Sequence, residues 1–178
     1  MASKEIHGVT VECVQGDISS QEDIEAVVNA ANAQLKTGGG VAGAIHRAAG
    51  PELAEAGQKY APIEPGEAVI TAGFDLPNDH VIHALGPVYG RDKPEDELLA
   101  SCYSESLKRA EENGITSVAF PAISTGAFGY PIEDAARVAF RTVKQKIPSL
   151  ESVGLIRFVL FDESAYSTHE KVLEEIFD

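Results

Sequence analysis

AVVNAANAQLKTGGGVAGAIHRAAGP, residues 26–51, decides the fold of this chain. It opens on a short apolar run, Ala26 to Asn29, with the length and β-branched character of a covered strand. Its middle is the glycine run Gly38-Gly39-Gly40. Its end sets Val41, Ala44, Ile45, Ala48 and Ala49 at the i, i+3, i+4, i+7, i+8 spacing of an amphipathic helix, closed by Gly50-Pro51. A strand that passes through glycines into a helix is the repeating unit of a layered α/β protein.

The same alternation continues outward. Apolar runs bounded by turn residues predict further strands at Val9 to Gln15, Ala68 to Thr71, Val81 to Leu85, Ser117 to Phe120 and Leu155 to Phe161. Leu98, Leu99, Cys102, Leu107 and Ala110 mark a second helix that stops before Gly114. Ile132, Ala135, Ala136, Ala139 and Val143 mark a third, with Pro131 suited to its first turn. A fourth starts near Ser164 as N-cap and turns Val172, Leu173 and Ile176 inward. Strands alternating with helices predict a mostly parallel sheet covered on both faces, with ligands bound beyond the carboxyl ends of its strands.

No repeat, low-complexity tract or linker divides the 178 residues, so one domain over 1–178 is expected, enough to bury roughly 70% of the unfolded surface. No stretch approaches the roughly 20 apolar residues of a membrane span, and the first residues lack the apolar core of a signal peptide. The expectation is a cytoplasmic protein without a membrane partner. Cys13 and Cys102 have no C-x-x-C partner and are expected to be reduced and buried. A net charge of −14 disfavours a nucleic-acid surface, which depends on clustered Lys and Arg. That charge is unevenly spread. Ala26 to Gly50 holds no Asp or Glu, and Gly114 to Ile132 holds no charged residue at all, so an anion could approach both windows without repulsion.

Three segments carry candidate chemistry. Asn29 to Asn32 followed by Gly38-Gly39-Gly40-Val41 sets a glycine run at a helix N-terminus, where unpaired N–H groups suit a phosphate. The spacing is neither a P-loop nor a dinucleotide-binding fingerprint, and the bland reading is a flexible connection in which an Asn caps a turn. Pro121 to Pro131, with Ser124, Thr125, Gly126 and Gly129, forms a strand-to-helix loop that is either a second set of inward amides or an ordinary turn. Gly16-Asp17-Ile18 ends the first predicted strand, and Asp17 is either an acceptor for an exocyclic amine or the cap of a turn. The five histidines do not suit a metal, since His80 and His83 lie three apart on a strand and face opposite ways. His46 shares a helix face with Ala42 and is either a packing residue or a catalytic group. Ser124 has no His and Asp at triad-like positions.

Together, GDI at 16–18, VVNAAN at 27–32, GGGVAGAIHRAAGPEL at 38–53, GEAVITAGFDLPNDHVIHALGP at 66–87 and FPAISTGAFGYP at 120–131 resemble the macrodomain family, and within it the MacroD-like branch. The resemblance runs from about Val9 to the C-terminus. It implies a three-layer α/β/α sandwich on a mixed, mostly parallel sheet, with ADP-ribose and ADP-ribosylated proteins as partners and no cofactor or metal. It gives Asp17 the adenine amino group, with a backbone contact from Ile18 beside it, and Asn32 the distal ribose. Gly38, Gly39, Gly40 and Val41 resemble a first phosphate loop. Ser124, Thr125, Gly126, Ala127 and Phe128 resemble a second, with Gly126 allowing close approach and Phe128 against the distal ribose. Phe161 resembles the aromatic that packs on adenine, with Tyr166 as its rival. Asn32, Ala42, His46 and Gly126 are the candidate catalytic positions, with Ala42 at the position that the resemblance ties to the attacking water.

One departure matters. The branch usually reads GGGVDG, whereas Ala42 stands here where its water-orienting Asp would be, and Thr37 replaces a frequent glycine. Two functions therefore stay open: a hydrolase of the ester joining ADP-ribose to a protein Asp or Glu, or of O-acetyl-ADP-ribose, and a binding module that reads ADP-ribose without turning it over.

Overall fold

A computed structural model describes residues 2–178. Seven strands form one sheet: β1 (Ala2–Ile6), β2 (Val9–Gln15), β3 (Ala26–Ala30), β4 (Ala68–Ala72), β5 (His80–Ala84), β6 (Ser117–Phe120) and β7 (Leu155–Leu160). Their order is β1-β2-β7-β6-β3-β5-β4. The five inner strands run parallel, while β1 and β4 pair antiparallel at the two edges. Five helices cover the sheet: α1 (Gly40–Ala49), α2 (Glu52–Gly57), α3 (Glu95–Glu112), α4 (Ile132–Lys146) and α5 (Glu163–Phe177). This is the expected sandwich on a mixed sheet.

Alternation along the strands divides the core in two. Cys13, Val28, Ile82, Phe120 and Phe158 face the layer of α3, α4 and α5, where Tyr103, Phe120, Phe140 and Phe158 form a fully buried aromatic cluster. Val27, Val81, Ala119 and Val159 face Ile45 and Ala49 of α1 and Leu53 of α2. Removing one such ring costs about 3–5 kcal/mol, so the sheet is a firm base for the loops at its end. Helix α4 shows why these residues are helical: Ala135, Ala136, Ala139, Phe140 and Val143 make its inward stripe. Glu133 and Asp134 lie in its first turn and Lys144 and Lys146 in its last, matching the helix dipole.

Several boundaries differ from the sequence reading. Strand β1 was not predicted, because Ser3, Lys4 and Glu5 break the apolar signal of an edge strand. Helix α2 follows Pro51 directly, so Gly50-Pro51 ends one helix and starts another. Strand β5 begins at His80 and leaves Leu85 outside it. Strand β7 stops at Leu160, which puts Phe161 in a loop. The N-cap of α5 is Asp162, not Ser164; its carboxylate accepts from the Ala165 N–H at 2.8 Å. Cys13 and Cys102 are buried and unbridged as expected, and burial pushes both thiols up to about 12.

Parallel pairing brings the carboxyl ends of β2, β3, β5, β6 and β7 to one edge, so the loops after Gln15, Ala30, Phe120 and Leu160 leave side by side. Strands β3 and β6 pair only at Ala26↔Val118 and Val27↔Ala119, after which their ladder stops. This is where the strand order reverses direction, the place a ligand enters an open α/β sheet.

Candidate functional site

The loop after β3 is shaped by Asn32. Its Nδ2 donates to Lys36 O at 2.7 Å and its Oδ1 accepts from Lys36 N at 3.0 Å, closing a turn through Leu35 at φ +56°. Asn32 therefore caps a turn, as the bland reading had it, and it also lines the cleft. Each of its two polar atoms retains capacity for one more hydrogen bond. The chain then passes through Gly38, Gly39 and Gly40 into α1. Gly39 as N-cap brings no side-chain acceptor, so the first amides of α1 are left for a ligand. A side chain at Gly43 would meet Gly38 O at 2.5 Å, so the glycine run lies tight against its own helix.

The loop after β6 is held from below by Tyr103. Its hydroxyl donates to Pro121 O at 3.4 Å and accepts from Ile123 N at 3.3 Å. Ser124 takes φ +68°, a left-handed conformation uncommon outside glycine, and its carbonyl accepts from Tyr130 N at 2.9 Å. A Cβ at Gly86 would clash with Ser124 Oγ, so only glycine lets the chain leaving β5 reach this loop. Among the described residues the N–H groups of Gly126, Ala127 and Phe128 find no acceptor. The Ser124 hydroxyl is buried and also has no partner, which leaves no histidine or acid to activate it.

Between these loops lies one cleft with two lobes. The larger, about 630 Å³, is lined by Asp17, Ile18, Arg47, Thr125, Phe161 and Ala165 among others. The smaller, about 310 Å³, is lined by Asn32, Gly38, Gly39, Ala42, Ser124, Ala127 and Phe128 among others. Gly40, Val41, Ala122 and Gly126 line both and so join them. In the larger lobe Asp17 Oδ1 accepts from Ser19 N at 2.8 Å and Ser19 Oγ at 2.6 Å, while Oδ2 makes no hydrogen bond within the described residues. The Ser19 hydroxyl and amide hold this carboxyl below its usual range. Phe161 stands 86% exposed at the rim. Tyr166 lies away from the cleft, packs against the core and donates to Glu170 Oε2 at 3.3 Å.

His46, the candidate catalytic histidine, is set apart from the cleft lining. It is buried, lines neither lobe, and has neither ring nitrogen paired among the described residues. Burial lowers its pKa. It is therefore not a packing residue with a satisfied ring. His83 lies in the same buried layer, accepting at Nδ1 from the Asn29 amide at 3.1 Å and placing Nε2 3.0 Å from Thr71 Oγ1. His80 is only half-buried on the opposite strand face, so the two do not converge. Among the described residues no three His, Cys, Asp or Glu side chains are grouped to hold a metal.

Sequence reasoning missed Arg47, Gly86 and Ala165. Arg47 had a signal, since Gly40, Ala44 and Arg47 are one stripe of α1 and all line the larger lobe. Gly86 and Ala165 had none, because only folding brings them to the cleft.

Comparison with known proteins agrees with this geometry. The family model described as "Macro domain" matches residues 28–139. An O-acetyl-ADP-ribose deacetylase of Klebsiella pneumoniae is 46% identical over 170 residues, covering 93% of this chain and 97% of that protein. The solved Oceanobacillus iheyensis macrodomain with ADP superposes with a TM-score of 0.92 at 41% identity, covering 97% of this chain and 94% of that one. The Trypanosoma brucei macrodomain in complex with ADP-ribose gives 0.83 at 35% identity, covering 90% of this chain and 68% of that one. Fold, cleft and sequence agree, and this chain belongs to the macrodomain family.

Proposed function

We propose that this protein binds ADP-ribose in the two-lobed cleft and hydrolyses the ester that joins its distal ribose to an acyl group, in O-acetyl-ADP-ribose or on the Asp or Glu of a modified protein. The observation that carries the reading is the join between the lobes. Two loops with unpaired amides meet at Gly40, Val41 and Gly126, with a free carboxylate oxygen at one end and a neutral polar pocket at the other. A diphosphate suits the amides at the join, because backbone N–H groups and a helix N-terminus offset its charge without a lysine. Adenine suits the larger lobe, where Asp17 Oδ2 takes its exocyclic amine and Phe161 covers the ring. The distal ribose suits the smaller lobe beside Asn32 and Phe128. The deacetylase among the relatives supports the acyl ester as the bond broken.

The smaller lobe contains no Asp or Glu among its lining residues. The chain therefore supplies no general base at the ester, and a diphosphate oxygen of the substrate is left to order the attacking water. Lacking a general base commonly costs about 10²- to 10⁴-fold in rate, so the hydrolysis is slow. That same neutrality favours a second reading, a module that holds ADP-ribose without turning it over.

The test is to titrate ADP-ribose calorimetrically and to follow acetate released from O-acetyl-ADP-ribose and ADP-ribose released from a mono-ADP-ribosylated acidic protein. Binding with release above the protein-free control is expected. Tight binding with no release from either substrate leaves the reader, and no binding at millimolar ADP-ribose overturns both readings.

A further inference from the structure

On the α1 side of the sheet, Ile18 and Ile24 of the segment 16–24 pack in one core with Val159 of β7, with Val14 of β2 against it. On that face the sheet presents a charged pair. Glu12 and Arg157 are partners in the β2–β7 register, with side chains only 11% and 13% exposed and Arg157 Nε 2.8 Å from Glu12 Oε2. The guanidinium continues outward. Nη1 and Nη2 donate to the two carboxylate oxygens of Asp23 at 2.8 Å each, and Nη1 also donates to Gln21 Oε1 at 3.0 Å. Gln21 in turn donates through Nε2 to the backbone carbonyl of Asp17 at 2.8 Å. From the other side, Asn78 Nδ2 donates to Gln21 O at 2.8 Å and Ile24 O at 2.7 Å.

This arrangement exceeds what closing a surface loop requires. The fork of Arg157 grips both carboxylate oxygens of Asp23 and, from Nη1, holds Gln21 Oε1 as well. Gln21 passes that restraint to the residue whose carboxylate faces the larger lobe. Ser19 holds Asp17 Oδ1, and Gln21 Nε2 together with Ser20 N holds the main-chain carbonyl of the same residue, so the carboxylate is restrained from both its side chain and its backbone. A hydrogen-bond acceptor selects for a donor only when it is held in place by a second layer of contacts.

We infer that Gln21, anchored by Arg157, is a positioning residue that sets Asp17 to recognise a 6-amino purine and to reject a 6-oxo purine. The inference rests on the proposed binding of ADP-ribose and adds the source of its base selectivity. A 6-oxo group sets an oxygen against the carboxylate where a 6-amino group donates to it, so mispositioning Asp17 weakens the amino ligand while relieving repulsion of the oxo ligand.

The readout is the ratio of dissociation constants for inosine-diphosphate-ribose and ADP-ribose, measured calorimetrically on the full chain. The wild type is expected to prefer ADP-ribose by about tenfold or more, the scale of a hydrogen bond to a charged group. Gln21→Ala removes the tether and leaves the Arg157–Glu12–Asp23 ion pairs in place. It should weaken ADP-ribose about tenfold and bring the ratio close to that of Asp17→Ala. Gln21→Glu still accepts from Arg157 but cannot donate to the Asp17 carbonyl, and it should lose the ratio likewise. Melting curves without ligand show that each variant is folded. If Gln21→Ala keeps the wild-type ratio, or weakens both ligands equally, the positioning role is overturned while ADP-ribose binding stands. If the wild type binds ADP-ribose without preferring it, the inference fails at Asp17. If the wild type binds neither ligand, the proposed function fails and the inference with it.

Discussion

The two lobes of the cleft are built by opposite means. The larger lobe, proposed for adenine, relies on side chains: a carboxylate pinned by Ser19 and tethered through Gln21 to Arg157, with an exposed aromatic at the rim. The distal end relies on the main chain, with glycines at 38–40, a left-handed Ser124 and amides of the second loop, and its lining carries no charged side chain. Side chains discriminate between bases. Main-chain amides accept any diphosphate sugar of the right shape, so the ends should respond to mutation in different ways.

The sharpest break comes at Gly126, which belongs to both ends. A Cβ there meets nothing within 4 Å, so the fold tolerates a side chain that the ligand does not. Gly126→Glu puts bulk and a negative charge at the join proposed for the diphosphate, and more than about 100-fold loss of affinity is expected. With ADP-ribose at about 100 times its dissociation constant, the wild type should gain roughly 2.7 kcal/mol of stability. Thermal unfolding should show that gain in the wild type and none in the variant, with both melting alike when free. A folded variant with unchanged affinity would place the ligand outside the second loop.

Asp17→Ala tests the side-chain end alone. It should weaken ADP-ribose by roughly 1 to 3 kcal/mol, the cost of a lost hydrogen bond to a charged group, while leaving turnover of bound substrate nearly unchanged. Loss of turnover without loss of affinity, measured by titration and single-turnover rates, would show that the two ends are not separate.

The same contrast governs what was legible in the sequence. Local main-chain features could be read directly: the glycine run before the 41-44-45-48-49 stripe and the Ser-Thr-Gly loop before α4 both lie at the cleft. Long-range side-chain partnerships could not. Arg157 and Gln21 are 136 positions apart and meet only because β7 lies beside β2. Ser3, Lys4 and Glu5 concealed an edge strand, and Asp162 capped α5 two residues before the Ser that the pattern favoured. His46 shows the limit of helical spacing, which put it on the Ala42 face but gave no sign that the cleft lining includes Ala42 and leaves His46 buried outside it.

Beneath the distal end, the neutral layer of Asn29, His83 and Thr71 makes stability depend on pH. The Asn29 side-chain nitrogen Nδ2 can only donate, so Nδ1 of His83 accepts and Nε2 carries the proton toward Thr71. Burial, with a smaller contribution from His46, lowers the His83 pKa to about 3. The folded state therefore binds fewer protons than the unfolded chain between about pH 3 and pH 6.5. Stability is full above pH 6.5 and falls as pH drops through that window, by up to about 1.4 kcal/mol per pH unit from this group. Buried His46 and His169, both lowered, act in the same direction. Urea unfolding at pH 7, 6 and 5 measures the slope, and a flat profile would mean that the layer takes up protons without cost.

The smallest effect expected is also the one that separates enzyme from reader. Ala42 lies in the first turn of α1, buried at the wall of the distal lobe, one residue beyond Val41. An Asp there is favourable to the helix dipole, so Ala42→Asp should cost little stability even in a tight wall. It would add a carboxylate to a lobe that has none, beside Asn32 and Gly38. If the chain is a hydrolase that relies on its substrate to order water, the variant should release acetate from O-acetyl-ADP-ribose about tenfold faster, the lower edge of what a general base contributes. Affinity for ADP-ribose should stay level or fall slightly, because the new charge faces an anionic ligand. Asn32→Ala in the same background should cancel the gain, since it opens the turn closed on Lys36 and removes the amide beside the ribose. A fast starting protein that Ala42→Asp does not improve would show that substrate-assisted hydrolysis is already sufficient. Tight binding by both forms with release by neither would leave the distal lobe as a reader of ADP-ribose, in which the missing carboxylate is what keeps the ester intact.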